Sequence, residues 1–138
     1  MNWTLEVVCL PVADLDRSLA FYSEELGFNV DIDTVRPDGK RMIQVTPPGS
    51  GCSIVLGTDM TDMAPGSMRG LQLVVRDILA AHAELTERGV KVGDVQVFTQ
   101  DGSMRPYQDG DWLDNTGFIF FDDPDGNSWA IQQISARD

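Results

Sequence analysis

One pattern occurs twice in this chain, and it constrains the fold more than any other feature. Leu10–Tyr22 (LPVADLDRSLAFY), followed by Leu26-Gly27-Phe28, is echoed by Val74–Leu85 (VVRDILAAHAEL), followed by Arg88-Gly89-Val90. Asp14 recurs as Asp77 and Gly27 as Gly89, about 63 residues further on. Each copy reads as a strand, a capping Asp, an amphipathic helix, a Gly and further strands. A period this long is not that of a solenoid. Two copies instead describe a duplicated βαβββ unit, which makes the chain α+β.

In the first copy, Leu5–Leu10 is a nearly continuous apolar run, the mark of a buried strand. Asp14 is placed to cap a helix, and Asp16 adds negative charge to its first turn. Leu15, Leu19, Tyr22 and Leu26 line one helical face, and Gly27 closes it. Phe28–Val35, Arg41–Thr46 and Cys52–Gly57 read as strands, parted by the turns Pro37-Asp38-Gly39 and Pro47–Gly51. The polar, Pro-Gly punctuated stretch 58–68 reads as a linker. The chain is thus read as one domain, 1–138, with module 1 at about 1–57 and module 2 at about 69–138.

In the second copy, Leu71–Val75 is the first strand and Asp77 caps a helix with Ile78, Ala81 and Leu85 on one face. Val90–Phe98, Phe118–Phe121 and Ser128–Gln133 read as the remaining strands. Thr99–Asn115 departs from the first copy. It reads as a long Gly- and Asp-rich loop carrying Tyr107 and Trp112, and loops of that length inside compact domains often cover or form binding sites.

Charge narrows the partners. The formal net charge of −12 disfavours nucleic acid, because the phosphate interaction would be repulsive, and suits a cationic small molecule. No apolar run is long enough for a membrane helix, and the amino-terminal residues show no signal-peptide pattern, so a cytoplasmic location is expected. Cys9 and Cys52 lie in apolar strand patterns without CxxC spacing and read as buried, reduced thiols.

Val12-Ala13-Asp14, Phe21-Tyr22, Leu26-Gly27-Phe28 and the run Phe121–Trp129 (F-x-D-P-D-G-N-x-W) together resemble the vicinal oxygen chelate superfamily. That group includes glyoxalase I, bleomycin-resistance proteins, fosfomycin-resistance transferases and extradiol dioxygenases. The resemblance spans essentially the whole chain. It implies two tandem βαβββ modules forming a curved mixed sheet around a cavity, with the helices on the outer face.

The resemblance also marks where family enzymes hold a divalent metal, on the first and last strands of the two modules. Counted from the matching motifs, those positions are Val7, Val55, Gly70 and Ala130. Valine, glycine and alanine side chains offer no lone pair to zinc, nickel, manganese or iron. No metal site and no cofactor are therefore expected. The single histidine, His82, falls on a helix expected to cover the outer face of the sheet, which leaves it without a ligand or catalytic role.

Strand side chains alternate between faces. If 7, 55, 70 and 130 point inward, so do Leu5, Cys9, Ser53, Gln72, Val74, Ser128 and Gln132, and by family analogy Phe118 and Phe120. On the third strand, either Met42 and Gln44 or Ile43 and Val45 point inward. The expected ligand-binding set is Val7, Cys9, Ser53, Val55, Gly70, Gln72, Tyr107, Trp112, Phe118, Phe120, Ala130 and Gln132, with Tyr107 and Trp112 closing over a planar ligand. Trp129, of opposite parity, is expected to pack under a helix.

Such a trough, apolar with a few uncharged polar groups, fits a metal-independent small-molecule binding protein, with drug sequestration as the concrete version. The expected partner is a hydrophobic or aromatic molecule, cationic in the version the acidic surface favours, bound by a homodimer. A metal-free lyase, isomerase or cyclase is the alternative, with carboxylates of the 99–115 loop (Asp109, Asp111, Asp114) as bases. A protein-interaction module is the third. Among the inward positions only Cys9 is ionisable on this reading, which favours binding over catalysis; no catalytic residue is assigned.

Overall fold

The computed structural model describes residues 1–57 and 59–136. Thr58, the first residue of the expected linker, and residues 137–138 lie outside the described residues. The chain forms two compact units. The first comprises Met1–Met68 together with Asp123–Asn127, and the second comprises Arg69–Asp122 and the chain from Ser128 onward.

The first unit is a four-stranded mixed sheet of β1 (Val7–Leu10), β2 (Asn29–Val35), β3 (Arg41–Thr46) and β4 (Ser53–Leu56), in the order β1-β4-β3-β2. β1 runs parallel to β4, as a crossover through a helix requires, and the other pairs are antiparallel. Leu10, Ile43, Val45, Ile54 and Leu56 form its core, all nearly inaccessible. Register resolves the parity of β3: Gln44 pairs with Val55 and Ile43 with Leu56, so Met42 and Gln44 share the face of Val55. Ile43 and Val45 belong to the core face.

Asp14 caps α1 (Leu15–Ala20) by accepting a hydrogen bond from the Arg17 N–H at 3.1 Å. The regular helix expected up to Gly27 does not persist. From Phe21 to Glu25 the turn widens to a π-helix, with the Leu26 N–H bonding the Phe21 carbonyl at 2.9 Å. The reason is the pair of adjacent aromatics. Phe21 and Tyr22 are both buried, edge to face at 5.1 Å, and the wide turn lets two successive side chains enter the core.

The Asp-Pro-Asp-Gly-Asn segment is explained by packing within this unit. The buried Asp123 carboxylate accepts hydrogen bonds from the Tyr22 hydroxyl (2.8 Å), Asn127 Nδ2 (2.8 Å), the Asn127 N–H (2.9 Å) and the Asp125 N–H (3.0 Å). Asn127 Nδ2 also donates to the Pro11 carbonyl, and its Oδ1 accepts from the Met68 N–H. Asp125 accepts from the Ala13 N–H and from Arg17. Gly66 lies so close that a Cβ there would stand 2.0 Å from the Asp125 carbonyl oxygen.

The second unit is a five-stranded mixed sheet of β5 (Leu71–Val75), β6 (Gln96–Phe98), β7 (Met104–Pro106), β8 (Gly117–Asp122) and β9 (Ser128–Gln133), in the order β5-β9-β8-β6-β7. β5 runs parallel to β9. Asp77 caps α2 (Ile78–Glu87) through the Ala80 N–H at 3.0 Å, repeating the role of Asp14. Ile78 and Leu85 are buried, as are Ile119, Phe121, Trp129 and Ile131 on the sheet, and α2 packs on β8 and β9. Trp129 stacks on Phe121 with centroids 6.1 Å apart, on the helix-covered face as its parity requires.

Two expectations for this unit need correction. The strand expected over Val90–Phe98 shrinks to β6, with only a single bridge from Val92 to Phe121 before it. The stretch read as an unbroken loop over 99–115 contains β7, paired antiparallel with β6. Its Asp101-Gly102 pair is a hairpin turn: the Thr99 N–H bonds the Ser103 carbonyl, and the Asp101 carboxylate accepts from the Thr99 and Ser103 hydroxyls. These bonds, led by the Thr99 hydroxyl, draw the Asp101 pKa down to about 2.

Candidate functional site

The face of the second sheet not covered by α2 carries the expected inward residues of that unit. Alternation along β5, β8 and β9 puts Gly70, Gln72 and Val74, then Phe118, Phe120 and Asp122, then Ser128, Ala130 and Gln132 on this face. Register arranges them in cross-strand rows. Gln72, Ala130 and Phe120 form one row; Val74, Gln132 and Phe118 form the next. On the other side Asp122 pairs with Ser128, which lies beside Gly70.

Small residues in the middle of these rows leave a hollow of about 190 Å³, lined by Gly70, Leu71, Gln72, Phe120, Phe121, Asp122, Ser128, Trp129 and Ala130. That exceeds the roughly 150 Å³ cavity known to take benzene, so a ring system fits. Phe118 and Phe120 stack with centroids 6.1 Å apart and planes within 5° of parallel, a ready aromatic platform. The apolar surface continues onto Phe98, Met104 and Phe120, exposed at 46%, 40% and 44%.

The polar groups are oriented by a relay. Gln132 Nε2 donates to the Asn115 carbonyl at 2.7 Å, and Gln72 Nε2 donates to Gln132 Oε1 at 2.6 Å. A backbone carbonyl only accepts, so it dictates which end of the Gln132 amide faces it, and Gln132 then dictates the orientation of Gln72. Gln72 Oε1 is left without a partner among the described residues.

Asp122 is the residue that the inward set lacks. Continuing the two-residue count from Phe118 and Phe120 reaches it directly. Its carboxylate has no ion pair or hydrogen bond among the described residues, and it is exposed at the edge of the hollow. The expectation that Cys9 is the one ionisable inward group is thereby corrected.

The other expected site residues belong to other elements. Val7, Cys9, Ser53 and Val55 belong to the first sheet, where Val7 pairs with Ser53 and Cys9 with Val55. Ser53 and Val55 are buried, Cys9 is half-buried and Val7 is 39% exposed. Cys9 and Cys52 are free thiols, but half-buried rather than buried. A separate hollow of about 170 Å³ in the first unit is lined by Val55, Met42, Met60, Leu15, Arg36, Arg41 and Asp59, among others. Its arginines are committed: Arg41 to Asp33 and Asp16, and Arg36 to Asp38 and Asp59.

Tyr107 is half-buried and Trp112 is 72% exposed. Leu113, not Trp112, anchors their segment, approaching Gly117 beside Ile78. Asp114 accepts from the Ser135 N–H and hydroxyl, which lowers its pKa. Arg105 grips Asp111 with both terminal nitrogens, at 2.7 and 2.9 Å. That guanidinium, aided by the Gln108 N–H, brings the Asp111 pKa down to about 2. A carboxylate held near 2 is a weak base near neutrality, which counts against Asp111 in proton abstraction.

A depressed folded pKa means that the Arg105–Asp111 clamp is complete above the usual carboxylate range near 4 and is lost as pH falls towards 2. The Asp111 carboxyl carbon, followed by NMR, should titrate near 2. In Arg105→Gln its midpoint should move up towards 4. An unchanged midpoint in the variant would show that Arg105 does not hold it.

The positions that the family resemblance marks for metal do not fit one. Val7 and Val55 in the first unit, and Gly70 and Ala130 in the second, supply no donor atoms from their side chains. The backbone at Gly70 adds a second obstacle. Its φ of +89° lies where a histidine would be strained. Among the described residues, no three His, Cys, Asp or Glu side chains converge as a metal would need. His82 instead shares a hydrogen bond with the Gly93 carbonyl at 3.1 Å.

The model of the Glyoxalase/Bleomycin resistance protein/Dioxygenase superfamily matches residues 4–131. The chain belongs to this superfamily. Among solved structures it is similar to TnmS3, an antibiotic binding protein from Streptomyces sp. CB03234, at 33% identity and a TM-score of 0.74, over 97% of this chain and 98% of that one. It is also similar to a glyoxalase/bleomycin resistance protein from the same Streptomyces, at 35% identity and a TM-score of 0.71, over 94% of this chain and 100% of that one. A superfamily member from Sphaerobacter thermophilus DSM 20745 shares 27% identity with a TM-score of 0.73, over 96% and 98% of the two chains. No curated protein matches the chain. Among the described residues, no helix is long and apolar enough to cross a membrane.

Proposed function

We propose that this superfamily member is a metal-independent protein that reversibly binds a hydrophobic, aromatic small molecule, with drug sequestration as its role. The observation that carries the reading is the stacked Phe118–Phe120 pair beside a hollow floored by Gly70, Ser128 and Ala130. Apolar walls supply affinity, and a few fixed polar groups, here Gln72 and Gln132, supply orientation. The antibiotic binding of TnmS3, similar over nearly the whole chain, supports binding over catalysis. The donor-free residues at 7, 55, 70 and 130 support metal independence. Trp112 is exposed, on a segment pinned by Arg105 and Ser135, and on this reading it closes over the bound ring.

A metal-free lyase or isomerase is the competing use of the same hollow, and Asp122 is the one observation in its favour. Among the described residues, no second ionisable side chain lines the hollow to pass a proton on, which favours binding. The proposal includes a cytoplasmic homodimer, with Trp3 and Leu5, exposed at 87% and 70%, supplying apolar contact area. Titration with a panel of planar aromatic and bleomycin-like ligands should quench tryptophan fluorescence saturably, unaltered by chelator, on a species that sediments as a dimer. A flat response across the panel would sink the binding reading.

A further inference from the structure

We infer that the hollow on the second sheet selects ligands bearing a cationic amine, and that Asp122 is the residue that makes the selection. The inference rests on the aromatic-binding reading above and adds what the ligand must carry besides its ring. Three observations lead to it. Asp122 lines the hollow at its edge, and its carboxylate has no ion pair or hydrogen bond among the described residues. Arg105 with Asp111 and Arg88 with Glu84, by contrast, are paired within this unit.

The second observation is polarity. The relay from Asn115 through Gln132 leaves Gln72 Oε1, on the opposite rim, as an acceptor without a partner among the described residues. Both rims therefore offer acceptors, and a ligand seated between them is matched by donors. The third is spacing. Asp122 follows Phe120 by two residues on the same strand face, which sets the two side chains about 7 Å apart along the strand. A ring laid on Phe118 and Phe120 with an ammonium group on a two-carbon arm reaches the carboxylate. Ser128, in register with Asp122, adds a hydroxyl beside it.

Three probes sharing one ring system test this: 2-(1-naphthyl)ethylamine, 2-(1-naphthyl)ethanol and 1-naphthaleneacetate, titrated by calorimetry at low salt. The amine should bind about three- to tenfold tighter than the alcohol, the range of a part-exposed charge-assisted contact, and the carboxylate weakest. Asp122→Asn should erase the preference for the amine and leave the affinity for the alcohol unchanged. Glu24→Gln, an exposed helix residue of the first unit, removes the same charge elsewhere and should preserve the preference. Equal affinities of amine and alcohol for the native protein would overturn the inference while leaving aromatic binding intact. So would a preference that survives Asp122→Asn or is lost equally in Glu24→Gln, since the overall acidity would then be its source. Binding of none of the probes would overturn both this inference and the binding reading beneath it.

Discussion

Replacing Asp123 with alanine is expected to cost about 3–5 kcal/mol of folding stability, the largest loss anticipated for any single change in this chain. The carboxylate accepts from four donors: the Tyr22 hydroxyl, the Asn127 side-chain amide and the backbone N–H groups of Asp125 and Asn127. Tyr22 and Asn127 are fully buried, so water cannot replace the lost acceptor without entering the core. Each orphaned buried donor costs about 1–3 kcal/mol, and partial relaxation keeps the total below the sum. The melting temperature should fall by roughly 10–20 °C. Tyr22→Phe removes one bond from the same centre and should cost only about 1 kcal/mol. Thermal and urea melts of the two variants provide the check. An Asp123→Ala protein that melts within a few degrees of the parent would mean that the loop is held by something else.

The second large effect is on binding. Phe118→Ala combined with Phe120→Ala should weaken any aromatic ligand about 100-fold or more, at roughly 1.5 kcal/mol for each ring lost. Stability should change little. Phe120 is nearly half exposed, and both rings stand on the sheet face opposite Ile119 and Phe121, which form the core. This dissociation of affinity from stability separates a platform from a structural aromatic pair such as Phe121 and Trp129. Equal losses in both measurements would identify Phe118 and Phe120 as core residues rather than a platform.

How far the site was readable from the residues depended on where each strand was thought to end. The repeat located both helix caps; the parity of 72, 128 and 132 follows by alternation from 70 and 130, which the family resemblance marks, and that of 118 and 120 comes from family analogy. Asp122 escaped because the strand was expected to stop at Phe121, whereas β8 runs to Asp122 and carries the alternation one step further. A one-residue difference in a boundary hid the one charged group that lines the hollow among the described residues. The hairpin of β6 and β7 escaped for a related reason. Gly and Asp mark loops and tight turns equally well, and only pairing between Phe98 and Met104 decides between them. The π turn at Phe21–Glu25 has no local signature at all, since it exists to bury two neighbouring aromatics against a core that later residues complete.

The assignment of Asp123–Asn127 to the first unit, although strands of the second flank it on both sides, has a consequence for the chain's ancestry and its engineering. A gene cut between residues 68 and 69 would yield a first fragment without the acceptor that Tyr22 needs and without the amide that caps Pro11 and Met68. The fragment should stay unfolded alone and recover only when the other piece, or a five-residue graft of this loop, is supplied. The two repeats are thus no longer interchangeable parts: whatever autonomy the ancestral copy possessed, the first half now depends on residues encoded near the end of the second.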